Sequence, residues 1–174
     1  MTDSTQSLFT GIALATFGFM LKEAATTRMR AHRLRKVLKA DIASTLPGLR
    51  EHKPLLSKMK MDLADNSVSY IWDSSSHASS PAFLADVPIY LSIAETTALL
   101  RFYDCLSRID AIRTEFNGAV RCVITDAQNR DQYRKIAVAC LGDLDRNYVE
   151  ALTFGDLSLA ELDSHYWKDD EPGF

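Results

Sequence analysis

Three features of this sequence predict an all-α fold: few chain breakers, apolar residues at three- and four-residue steps, and an N-terminal apolar run that passes straight into a basic one. The 174 residues include only 7 Gly and 5 Pro, too few for the turn every ten residues or so that a sandwich or barrel requires. Hydrophobic residues make up 47% and charged residues 25%, close to the average of globular chains. The expected order is an N-terminal apolar helix continuing into a long basic helix, followed by a small antiparallel helical bundle.

The first element is the apolar helix. Asp3 is the only charge before Lys22, and Leu8 to Leu21 (LFTGIALATFGFML) are almost wholly apolar. Eighteen uncharged residues, Ser4 to Leu21, make a helix of about 27 Å, just short of the ~30 Å hydrocarbon core of a bilayer. The flanks exclude a secretory signal, which carries its positive charge ahead of the apolar run. Here Lys22, Arg28, Arg30, Arg33, Arg35, Lys36 and Lys39 all follow it. By the positive-inside rule, that order places residues 1–21 as a membrane-anchor helix with its N-terminus outside and the rest in the cytoplasm, at the inner membrane. An in-plane amphipathic anchor and a buried core helix are the other two places for such a run. Gly11, Ala15 and Gly18 share one face at steps of four and three, a small-residue pattern suited to helix self-association.

The second element, residues 22–46, is the basic juxtamembrane helix. Its apolar stripe is expected at Met29, Leu34, Val37, Leu38 and Ile42. Arg28, Arg30, Arg33, Arg35, Lys36 and Lys39 are the candidate contacts to anionic lipid, or equally to the phosphates of a nucleic acid. Residues 1–60 hold 11 Lys/Arg against 4 Asp/Glu, a balance of +7, and residues 61–174 hold 9 against 19, a balance of −10. Such asymmetry points to an anionic partner for the first part, or to internal docking of the acidic body on the basic helix.

The body spans 47–168. Leu46-Pro47-Gly48 is expected to bend or end the helix, and a shorter helix should run from Pro54 to Ala64. Residues 66–81 are the main loop, with Val68 to Trp72 as a short extended piece. Leu99, Phe102, Leu106, Ile109, Ile112 and Phe116 predict the next helix, weakening at Asn117-Gly118. Tyr133, Ile136 or Ala137, Cys140 or Leu141, Leu144 and Tyr148 predict its antiparallel neighbour. Ser158 and Glu161, at capping-box spacing, predict a last helix including Leu159, Leu162 and Trp167, and residues 169–174 form an acidic frayed tail.

Motifs that would carry chemistry are missing from the sequence. Cys105, Cys122 and Cys140 show no CxxC or Cys/His spacing and read as buried thiols in a reducing compartment. His32, His52, His77 and His165 are scattered without metal-ligand spacing. The serines beside Asp73 and His77 lack a nucleophile elbow and read as a solvated loop. Asp104, Asp110, Asp143 and Asp145 sit beside arginines, where surface ion pairs are the default. No catalytic residue, metal ligand or cofactor is assigned.

In IALATFGFMLKEAATTRMRAHRLRKVLKADI, and more faintly in LLRFYDCLSRIDAI, the layout resembles a loose group of small bacterial and phage-associated single-pass, membrane-anchored helical proteins of unknown function. The resemblance implies a non-enzymatic protein acting at the membrane by self-association or docking of a protein partner, as a sensor, scaffold or effector in an immune-type system. The alternative is a soluble all-α module that binds nucleic acid or another anionic ligand through the basic helix. A homo-oligomer is expected in the first case.

Overall fold

Residues 19–46 contain neither glycine nor proline, so nothing in the backbone interrupts a helix there. In the computed structural model α1 spans Asp3–Ala64, α2 Val87–Tyr90, α3 Ile93–Thr125 and α4 Arg130–Asp170. The backbone is described for residues 3–65, 84 and 87–170, and the side chains among these for residues 16–164. Among the described residues there is no strand.

The 62 residues of α1 make a rod of about 93 Å at 1.5 Å per residue. It does not end at Leu46-Pro47-Gly48: both Pro47 and Pro54 lie inside the helix. Each removes one ladder hydrogen bond, at a cost of about 3 kcal/mol in a helix interior. The two prolines are seven residues apart, hence on one face, and both are exposed, so the carbonyls they leave without an N–H partner meet water. The opposite face is held by Leu46, Leu49, Leu56 and Met59, all buried, at roughly 1.5–3 kcal/mol each. Packing outweighs the breaker.

The buried stripe of α1 is Ala31, Arg35, Leu38, Ile42, Leu46 and Leu49. Met29 and Val37, expected on it, are exposed instead. Two pairs, Arg35–Glu95 and Asp41–Tyr103, advance in the same direction along α1 and α3, which makes these helices parallel. Lys39–Asp163 and Arg50–Asp156 advance in opposite directions, so α4 is antiparallel to both. Parallel neighbours need a crossover as long as the helix. The chain leaves α1 at Ala64 and re-enters at Ile93, level with Arg35, about 44 Å back along the rod. Residues 66–83, including Val68 to Trp72, fall outside the described residues.

Helix α3 opens on a capping box. The Ser92 hydroxyl accepts from the Glu95 N–H at 3.2 Å and Glu95 Oε2 accepts from the Ser92 N–H at 2.8 Å, which satisfies two orphan donors reciprocally. Asn117-Gly118 does not weaken it; the helix runs on to Thr125. A four-residue turn follows, built on Asp126. Its carboxylate accepts from Asn129 Nδ2 at 3.0 Å and from the Gln128 and Asn129 N–H groups at 3.1 and 3.2 Å. The Asn129 side-chain bond foremost holds that carboxyl below the usual carboxylate range. Helix α4 is continuous, and Ser158 does not start a new one. Its side chain is buried and its hydroxyl donates to the Phe154 carbonyl at 2.7 Å, which ties up a serine oxygen within the helix instead of capping one.

Phe102, Phe116, Leu38, Ile42, Leu141, Leu144, Tyr148 and Leu162 are the large side chains at the centre of one core shared by α1, α3 and α4. Cys105 and Cys140 are buried in it, Cys122 is half-buried, and all three are free.

Among the described residues no helix is long and apolar enough to cross a membrane. That finding overturns the expected single-pass anchor, its inner-membrane location and the membrane-based mode of action. The uninterrupted apolar run, Leu8 to Leu21, gives only about 21 Å of helix, and α1 carries it without a break into Lys22, Glu23, Arg28 and Arg30. It is part of a longer helix that turns polar at Lys22, not an element of its own.

Candidate anionic-ligand face

Charge on α1 divides by what lies opposite it. Arg35 is buried and forms a fork with Glu95: Nε donates to Oε1 at 2.7 Å and Nη2 to Oε2 at 3.3 Å. Burial alone would raise the Glu95 carboxyl, but the Arg35 hydrogen bonds and those from the Ser92 backbone and hydroxyl outweigh it and hold the pKa below its ordinary value. Lys39 pairs with Asp163. Arg50 Nη2 meets Asp156 Oδ1 at 2.7 Å. Thus the acidic body does dock on the basic helix, and the charge asymmetry is partly answered within the molecule.

Four cations of the same helix point elsewhere. Lys22, Arg30, Arg33 and Lys36 are exposed; at 100° per residue they gather on the side of α1 away from Ala31, Leu38 and Ile42. They extend over about 21 Å of helix. Arg28, also exposed, lies at the margin, nearer the core-facing stripe. Arg30 is steadied by α2, its Nη1 donating to the Tyr90 hydroxyl at 3.3 Å. Of the six basic residues singled out from the sequence, then, Arg28, Arg30, Arg33 and Lys36 are outward, whereas Arg35 and Lys39 are engaged inside the bundle.

Of the small-residue positions, Gly18 is open on every side, with no atom within 4 Å of the place a Cβ would take. The side chain of Ala15 and the surroundings of Gly11 lie outside the described residues.

A concavity sits between α3 and α4, a cleft of about 330 Å³ lined by Arg101, Asp104, Cys105, Arg108, Glu150 and Phe154. Its charges answer one another. Arg108 Nη2 lies 2.5 Å from Asp104 Oδ2, and the Arg101 guanidinium sits 5.3 Å over the Phe154 ring. The Cys105 thiol donates to Glu150 Oε2 at 3.8 Å. Burial, then the Glu150 charge, pushes that thiol up, which keeps it protonated and a poor nucleophile near neutral pH. Among the described residues no group of three His, Cys, Asp or Glu is arranged to hold a metal ion. His77 and Asp73 lie outside the described residues.

Sequence reasoning missed the partners that sort these charges: Glu95, Asp163, Asp156, Asp41 and Tyr90. Only one had a local signal. Ser92-Ile93-Ala94-Glu95 is a capping box, which would have marked both the start of α3 and an acid at its first turn. The others are paired across 60 or more residues of sequence, where no periodicity reports them.

No family model, curated protein or solved structure matches this chain.

Proposed function

We propose that this protein is a non-enzymatic, all-helical binding module that holds a nucleic acid by its phosphates along the outward face of α1, through Lys22, Arg30, Arg33 and Lys36 with Arg28 at the margin. One observation carries this reading: while Arg35, Lys39 and Arg50 meet carboxylates of the body, Lys22, Arg30, Arg33 and Lys36 are exposed along one side of a continuous helix. Two of the four are arginines, whose planar fork matches the geometry of phosphate oxygens. Four cations over ~21 Å match the pitch of three or four phosphates, and contacts of this kind position a protein on a polymer without reading its bases. The cleft at Cys105 takes no part, because its charges are paired among themselves.

Binding should therefore be weak to moderate, with a dissociation constant of about 10⁻⁴–10⁻⁶ M at physiological salt, and log K should fall with log salt at about −0.9 per phosphate engaged on a duplex. Replacing Arg28, Arg30, Arg33 and Lys36 together by Gln should lower affinity for a 20-bp duplex by roughly 10²–10³ near 0.1 M salt and flatten the salt slope by about 3. Lys39→Gln and Arg50→Gln, whose charges face Asp163 and Asp156, should leave both quantities almost unchanged. Fluorescence anisotropy titrations between 50 and 200 mM salt measure this. If the fourfold variant binds as the unmodified chain does, or if Lys39→Gln matters equally, the face has no such role.

A further inference from the structure

Met29 and Val37 do more than leave the buried stripe of α1: at 56% and 48% exposure they stand on the same side of the helix as its outward cations. Phe19, 67% exposed, joins them. At 3.6 residues per turn the three apolar side chains and Lys22, Arg30, Arg33 and Lys36 fall within about 120° of the circumference and about 27 Å of the axis. They alternate along it, Phe19 before Lys22, Met29 beside Arg30 and Val37 after Lys36. No other large apolar side chain of residues 22–45 is exposed. Glu23, the one acid among residues 16–40, lies at the margin of this side. A lone apolar residue on a surface is ordinary. Three of them interleaved with four cations give one face two chemistries, charge for a phosphate chain and apolar platforms for flat rings.

On the premise that this face binds phosphates, we propose that the nucleic acid it holds is single-stranded, with unstacked bases laid against Phe19, Met29 and Val37 between the cations. A duplex keeps the faces of its bases inside the stack and would meet these side chains with sugar and phosphate alone. A single strand presents both its charge and its π-faces, and proteins that hold one combine a basic track with such platforms. The spacing agrees. Phe19 and Met29 are about 15 Å apart along the axis and Met29 and Val37 about 12 Å, so each takes a separate base. Set singly among cations, they do not make the continuous apolar face by which an amphipathic helix sinks into lipid. The face has little with which to read base edges or a 2′-hydroxyl. Thr26, between the cations, turns its hydroxyl to the Lys22 carbonyl at 2.8 Å, and Arg30 is aligned by the Tyr90 hydroxyl at 3.3 Å. Strands of either sugar and of any sequence should therefore be held alike.

Anisotropy titrations of the full chain with labelled oligothymidylate, oligouridylate and a duplex of equal length, near about 0.1 M salt, test this. Counterion release alone favours the duplex, which carries one charge per about 1.7 Å of axis against about 3.4 Å on one strand. The two single strands should nevertheless bind about tenfold tighter than the duplex, roughly the worth of one stacked base. Phe19→Ala/Met29→Ala/Val37→Ala should lower single-strand affinity by about 10–100-fold and Phe19→Ala alone by about tenfold. Duplex affinity and the salt slope should stay as they were, because stacking releases no counterions. None of the three side chains belongs to the core and Ala favours the helix, so circular dichroism should be unchanged. Phe17→Ala/Met20→Ala removes similar apolar surface from the opposite side of the same segment and should alter neither affinity. A duplex held as tightly as the single strands overturns the proposal and leaves phosphate binding standing. A threefold variant that keeps the single-strand preference, or an equal loss in Phe17→Ala/Met20→Ala, does the same. If the unmodified chain binds none of the three probes, or binds only vesicles of phosphatidylserine, phosphate binding to nucleic acid fails and this inference with it.

Discussion

Glu95→Ala should destabilise the fold by about 3–5 kcal/mol, the loss seen when one partner of a buried ion pair is removed and the other charge stays behind. The Glu95 side chain is 0% exposed and that of Arg35 10%, so the orphaned guanidinium has little water to turn to. The substitution also strips the capping box at Ser92, worth about 1 kcal/mol by itself. Arg35→Met combined with Glu95→Leu should lose much less than the single change, because it leaves no unpaired charge in the interior. Acidity acts through the same pair. The folded-state pKa of Glu95 lies below its ordinary value, so its contribution is fully present above the unfolded carboxylate pKa and is lost as pH falls through the folded one. Urea denaturation at pH 7 and through the range from about 5 to 3 should show the unmodified protein losing stability on acidification more steeply than Glu95→Gln. If Glu95→Ala proves as mild as an exposed pair, near or below 1 kcal/mol, Arg35 and Glu95 are not a buried pair.

Gly155→Val should be the most damaging substitution at any glycine described. A Cβ at Gly155 would meet Leu46 Cδ2 at 2.6 Å and Phe102 Cε2 and Cδ2 at 3.0 and 3.2 Å. Leu46 is 2% exposed and Phe102 0%, so neither can swing into solvent to make room. Here side chains of α1 and α3 press onto the backbone of α4, and only a residue without a side chain leaves room for them. Overpacking of this kind costs about 1–3 kcal/mol, and the branched Val belongs at the upper end. Gly155→Ala sets that against the roughly 1 kcal/mol that Ala gains over Gly in a helix interior, and should still come out unfavourable. Gly142→Ala, where nothing lies within 4 Å, should keep the gain and raise stability by about 0.5–1 kcal/mol. Equal stabilisation by Ala at both positions would mean that the three helices do not meet at Gly155.

Most of the helical stripes of α3 and α4 were legible in advance. Leu99, Phe102, Leu106, Ile109 and Phe116, and Leu141, Leu144 and Tyr148, are all buried and all recur with the helical period. Helix ends were legible only where a local motif governed them. Pro47, Gly118 and the Ser158/Glu161 spacing each suggested a boundary, yet at each the helix continues, because buried neighbours on the opposite face contribute more than a breaker or an unused cap removes. The rule that failed at Ser158 held at Ser92, and the difference is tertiary. Glu95 is drawn in by Arg35 from another helix, whereas Ser158 lies within a helix already packed on both sides.

The amino-acid sequence by itself determined that this chain is helical, that its N-terminal third passes from apolar to basic, and that its remaining charge is acidic. These are properties of composition and of a period of 3.6 residues, which local chemistry sets. Only the tertiary structure decided which charges are spent inside and which face outward. Arg33 and Arg35 are two residues apart and equal as sequence, but 200° of helical rotation sends one toward Glu95 and the other toward solvent. Likewise, the parallel course of α1 and α3 follows from a return of about 44 Å between them, which no run of adjacent residues records. The apolar run ahead of Lys22 was plain in the letters, but its situation was not. Its described part, from Phe17 to Leu21, is exposed and continues a seam that the body buries, and a seam is defined only once the helices that fill its other end are in place.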